Sequence, residues 1–155
     1  MKLITDRSQA DVARWKTLHD KGWSAMNASE REEWLSEMKG RYSYTDMNRV
    51  EAAVLDLSSR LTFLGYRHPT LQIKVDWKSG DIPTRADFDR YFGNVAVLRS
   101  IIPVPLSTPQ TPTTARRFDY LVANDVEKIL EAIDAGTSKL QNPWIFSGDI
   151  FAGEV

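Results

Sequence analysis

The chain has no cysteine in its 155 residues. That rules out disulfides and thiolate metal sites, and it fits a fold that matures in a reducing cytoplasm. Histidine is scarce: His19 and His68 are the two present, and neither sits in an H-x-x-x-H or H-E-x-x-H setting. The sequence therefore offers no zinc motif, and no metal or cofactor is expected. No sign of charge dominates, with 20 Lys and Arg against 21 Asp and Glu for a net of -1. A nucleic-acid partner is not expected, since a polyanion site leaves a basic footprint. No apolar run approaches the ~20 residues that span a bilayer. The N-terminal MKLITDRSQ lacks the apolar stretch of a signal peptide. The expectation is no membrane insertion, with any exit from a cell by lysis or inside an assembly. Catalytic signatures are missing as well. There is no P-loop and no G-x-S-x-G elbow, and Ser147-Gly148 reads as a turn rather than a nucleophile.

What the chain does have is ordinary globular composition, 42% hydrophobic and 26% charged. That length buries roughly two thirds of its unfolded surface, enough for a real core. The reading is a mainly α fold of about five helices in one domain over 1–155, with a minor β element. Asp6 is placed to N-cap the first helix, with Gln9 as capping-box partner. Val12, Trp15 and Leu18 give that helix its apolar face, and Gly22 stops it. Ser29 and Glu32 have capping-box spacing for a second helix, with Trp34, Leu35 and Met38 apolar and Gly40 as its end.

The third helix has the strongest pattern. With Thr45 as expected N-cap, Met47, Val50, Val54, Leu57, Leu61 and Leu64 recur at spacings of 3 and 4 up to Gly65. Such a stripe is a core-facing helix of a bundle or a seam between subunits. In LQIKVDW, Leu71, Ile73, Val75 and Trp77 alternate with polar residues, which reads as one half-buried strand near 71–77. Thr84 then caps a fourth helix carrying Phe88, Tyr91, Phe92, Val95, Leu98 and Ile102. Gly93 within it suggests a close backbone approach. Residues 103–117 hold four of the seven prolines. That stretch cannot be helical, and is a semi-rigid linker or a strap on the bundle. Val122, Val126, Ile129, Leu130 and Ile133 mark a fifth helix.

Paired carboxylates suffice for glycoside hydrolysis. Asp46, Glu51 and Asp56 share the third helix, but carboxylates on the polar side of an amphipathic helix are usually solvated, and no catalytic residue is assigned. Arg41, Tyr42, Tyr44 and Arg49 suggest base stacking beside phosphate contacts. Capping and packing around the turn before the third helix explains them better. Of the five tryptophans, Trp15, Trp34 and Trp77 lie on apolar faces, while Trp23 and Trp144 are freer and leave a cell-wall glycan as a conceivable ligand.

The tail NPWIFSGDIFAGEV is unusually apolar for a chain end. Ser147-Gly148-Asp149 separates Trp144-Ile145-Phe146 from Ile150-Phe151. This suits a C-terminal hairpin or a segment extended along a groove. Trp144, Ile145, Phe146, Ile150 and Phe151 are the candidate interaction residues of a docking tail over 143–155.

The blocks WLSEMKGRYSYTDMNRVE, KVDWKSGDIPT, RYFGNVAVLR, ANDVEKIL and WIFSGDIFAGEV occur here in that order. Together they resemble a group of small proteins encoded by phages and prophages of Gram-positive bacteria, over about Asp6 to Val155. The group tends to have leucine where Met47 stands and W-x-Y-S-G-E where this chain reads WIFSGD, changes that conserve size. The resemblance implies a non-enzymatic virion structural or assembly protein, tail- or fibre-associated. Its partners would be further copies of itself or other phage structural proteins. It would be found in the virion, and in the host cytoplasm during assembly. The alternative is a tail-associated cell-wall binding module or a hydrolase accessory.

Overall fold

The structure, a computed structural model, describes residues 1–36, 38–114 and 117–141. Within them are five α-helices: α1 (Gln9–Lys21), α2 (Ala28–Leu35), α3 (Tyr44–Phe63), α4 (Arg85–Ile101) and α5 (Tyr120–Gln141). The helices pack against one another, and the mainly α reading holds. The β element does not: no strand occurs among the described residues. The 143–155 segment, with its hairpin-or-groove alternatives, lies outside them.

Helix ends follow capping chemistry shifted from the expected positions. Ser8 caps α1, with Asp11 closing the capping box, in place of Asp6 and Gln9. Asn27 caps α2 with Glu30, rather than Ser29 with Glu32. Ser43 precedes α3, and its N–H donates to Asp46 at 2.9 Å, so Thr45 is already helical. In each case a usable acid three residues after a Ser or Asn was available, and the earlier or later pair lost. Thr84 caps α4 as expected, and Asp87 closes the capping box. α2 stops at Leu35, well before Gly40. Gly40 has another use: a Cβ there would overlap the main-chain carbonyl of Asp11, so glycine lets this loop lie against α1. The close approach expected at Gly93 is absent, for a Cβ there meets open space.

The core is built by α3, α4 and α5. Met47, Val50, Val54, Leu57 and Leu61 are all buried, as the stripe predicts, and join Tyr91, Phe92, Val95 and Leu98 of α4 and Val122, Val126, Ile129, Leu130 and Ile133 of α5. Leu64, the last of the stripe, is half-buried beyond the helix end.

These three helices run in the same direction. Arg49 of α3 meets Glu127 of α5, and eleven residues on Arg60 meets Asp134 and Ser138. Phe92 of α4 stacks on Phe118 just before α5, while Ile102 at the other end of α4 lies against Gly136. A parallel arrangement forces each connection to travel back along the bundle. α3 has 20 residues, so the return covers about 30 Å, or roughly nine extended residues.

Both connections do this. Residues 64–84 return along α3: His68 lies by Ser58, Lys74 by Glu51 and Trp77 by Asn48. This explains the misread strand. Its period-two pattern reports an extended chain whose Leu71, Ile73 and Trp77 pack on the core, but no second strand lies beside it. Its hydrogen bonds go to helix side chains instead. The alternation also breaks at Val75, which is 47% exposed. The proline-rich stretch returns along α4, with Arg99 donating to the carbonyls of Pro109 and Thr108 and Thr114 donating to Asp89.

Candidate functional site

Two buried glutamates fasten extended chain to the helices. Glu127 of α5 is fully buried. Its Oε1 accepts from Arg7 Nη1 at 2.8 Å and Arg49 Nη2 at 3.1 Å, and its Oε2 accepts from the Ile4 N–H at 2.6 Å and from Arg49 Nη1. Asp46 completes the cluster, with Oδ1 accepting from Arg7 Nη2 at 2.9 Å and Arg49 Nη2 at 2.7 Å. Beside it the Asn124 side chain bonds both main-chain groups of Arg7, at 3.0 and 2.8 Å. The N-terminal segment is thereby held on α3 and α5.

Glu51 of α3, 1% exposed, does the same for the first return segment. Arg90 of α4 donates to both its oxygens at 2.6 Å, the Lys74 N–H donates at 2.8 Å and the Trp77 indole at 3.1 Å. Asn48 holds both main-chain groups of Trp77, at 2.8 and 2.9 Å.

The solvated role expected for Asp46 and Glu51 is thus corrected: both sit in enclosed networks, whereas Asp56 is exposed as expected. A carboxylate has about four lone-pair sites, and four donors occupy each glutamate. Neither has a free acceptor with which to take a substrate proton. The charges also balance locally, Arg7 and Arg49 against Asp46 and Glu127, and Arg90 against Glu51. Desolvation works against the charge on Arg49, but the hydrogen bonds it donates to Glu127 and Asp46 outweigh it and hold its pKa above the ordinary value. Nearby, the Tyr42 and Tyr91 hydroxyls are 2.7 Å apart, and desolvation pushes both phenols up, so they remain neutral.

Other candidates have structural partners. His68 bonds around Ser58, Thr62 and Pro69, and His19 lies tilted against Trp15 and Trp34, which stack on each other. No group of three His, Asp or Glu arranged to hold a metal occurs among the described residues. Tyr42 packs on Phe118 and under Arg7, so with Arg49 it serves packing around the start of α3. Trp77 is core, and Trp23 is exposed with the Arg31 guanidinium 5.3 Å from its ring centre. Trp144, Ile145, Phe146, Ile150 and Phe151 lie outside the described residues.

Sequence reasoning missed Arg7, Arg90 and Glu127 entirely. The one signal available was position: Glu127 stands among Val126, Ile129 and Leu130 on the buried side of α5. No helix among the described residues is long and apolar enough to cross a membrane. Compared with known proteins, the chain matches no family model, no curated protein and no solved structure.

Proposed function

We propose that this chain is a non-enzymatic structural or assembly component of a phage or prophage virion, associated with the tail or fibre, acting through protein–protein contacts. What carries the reading is the saturation of Glu51 and Glu127. The buried charges are spent on fixing extended chain to helices, which yields a scaffold of set shape rather than a reactive centre. The resemblance of the five sequence blocks supplies the virion context. Self-association or other phage structural proteins are the partners, and Trp144, Ile145, Phe146, Ile150 and Phe151 are the contact residues of the tail. Mass spectrometry of particles purified after prophage induction tests this. The chain should be present in intact particles in a fixed ratio to the other structural proteins, and its absence from them overturns the proposal.

A second reading, binding of a cell-wall glycan, draws on Trp23, which is 49% exposed. Sedimentation with peptidoglycan that is lost in Trp23→Ala would favour it.

A further inference from the structure

The main-chain groups of residues 71–75 divide by side. The carbonyl of Gln72 accepts from Arg90 at 2.8 Å and Asn94 at 2.7 Å, and the N–H of Lys74 donates to Glu51 at 2.8 Å. Those groups face the bundle. Successive residues of an extended chain turn their N–H and C=O to opposite edges. The groups of Leu71 and Ile73 therefore face away, and no hydrogen bond among the described residues uses them or the main-chain groups of Val75. An unpaired row of this kind is a template for a further extended chain.

The geometry points to a second copy of this chain as the occupant, with residues 71–75 of the two copies paired antiparallel about a two-fold axis at Ile73. The register follows from what the strap can offer. Centred on Ile73, Leu71 meets the partner's Val75, Ile73 meets the partner's Ile73, and about six main-chain hydrogen bonds form. A pairing centred on Leu71 would need an N–H from Pro69, which proline lacks. One centred on Val75 would need the main chain of Trp77, which Asn48 already holds through both its N–H and C=O.

The allowed register is also self-complementary in charge. Gln72 faces the partner's Lys74 and Thr70 faces the partner's Asp76, so no like charges oppose one another. The Lys74 ammonium lies 4.0 Å from the centre of the Trp77 ring and 3.9 Å from Asp81, away from the axis. The exposed Val75 side chain gains the partner's Leu71 as neighbour. This interface uses none of the C-terminal residues.

Sedimentation equilibrium of the full chain tests it, and a reversible monomer–dimer equilibrium is expected. Gln72 is exposed, and its side chain makes none of the strap's bonds, so substitutions there leave the fold intact. Gln72→Glu places an opposite charge before the partner's Lys74 twice per dimer and should tighten association about two- to thirtyfold, while Gln72→Lys should weaken it by a similar factor. Val75→Pro removes an N–H that the pairing uses and should abolish the dimer. A chain that stays monomeric up to about millimolar concentration, or a dimer that responds alike to both Gln72 variants, overturns the inference. Virion incorporation is read separately, so a chain that dimerises but is absent from particles breaks only the preceding proposal.

Discussion

In α1 and α2 together, Leu18 is the one buried side chain, whereas α5 alone buries nine residues. The charges of the two regions differ in the same way. The helical hairpin of α1 and α2 joins Arg14 to Glu33, Lys16 to Asp20 and Lys21 to Glu30 through side chains that are mostly open to water. The bundle seals Arg7 with Glu127 and Arg90 with Glu51. Exposed pairs are worth about 0–1 kcal/mol each, while halving a sealed pair leaves an uncompensated buried charge. The hairpin is therefore a region of local, additive stabilisation by caps and surface pairs. The bundle is a region in which single residues are critical. Regions of such different burial are expected to open separately.

The largest effect should come from the sealed network. Glu127→Ala leaves Arg7 and Arg49 facing each other with Asp46 alone, and strips the Ile4 N–H of its acceptor. A loss of ~3–5 kcal/mol is expected from urea denaturation. A loss below about 1 kcal/mol, the scale of an exposed pair, would erase the distinction between the two regions.

Next in size is the core itself. Leu57 is fully buried in the middle of α3, so Leu57→Ala should cost ~2–5 kcal/mol. A change under about 0.5 kcal/mol is what surface positions show, and would mean that the stripe is not the centre of the bundle.

The stripe of α3 was legible because repeated burial on one face leaves a periodic mark that no local interaction can erase. The same holds for α5, where all five expected apolar positions are buried. The caps were legible in kind but displaced, since several Ser, Asn and acid residues lie at workable spacings, and which pair closes depends on how the chain enters from elsewhere. The segment 71–77 shows a different limit. Period two reports an extended backbone with one side packed, and the sequence does not say whether its hydrogen-bond partners are a strand or side chains such as Glu51 and Asn48. The glutamate networks were least legible. Arg7 and Glu127 are 120 residues apart, and nothing local marks an acid on an apolar helix face as paired rather than misplaced.

A smaller effect should separate the regions directly. The Asn27 side chain accepts from the Glu30 N–H at 2.9 Å and starts α2, a helix with no buried residue. Asn27→Ala should cost ~0.5–2 kcal/mol, felt as faster hydrogen exchange across α2 with α3 and α5 unchanged. If exchange rises equally in all helices, the hairpin and the bundle open as one unit and the comparison fails.

The smallest effect expected is an acid loosening of the hairpin. The Ser8 hydroxyl and N–H lower the pKa of Asp11, the Lys21 ammonium lowers that of Glu30, and the Arg14 guanidinium lowers that of Glu33. Each folded value lies below the unfolded one. The contribution is therefore complete above the ordinary values of 3.8 and 4.5 and is lost as pH falls through the lowered range. These groups are half-buried at the surface and still reached by water, so each contribution is small and screened by salt. Hydrogen exchange at about pH 5 and about pH 3, corrected for intrinsic rates, should show protection of α1 and α2 falling with acid. Glu30→Gln should already be partly unprotected at the higher pH and should change less between the two. Added salt should reduce the part due to Lys21 and Arg14 while sparing the Ser8–Asp11 capping box, whose donors are uncharged. Protection in α1 and α2 that is the same at both pH values would mean that packing, not caps and surface pairs, holds the hairpin.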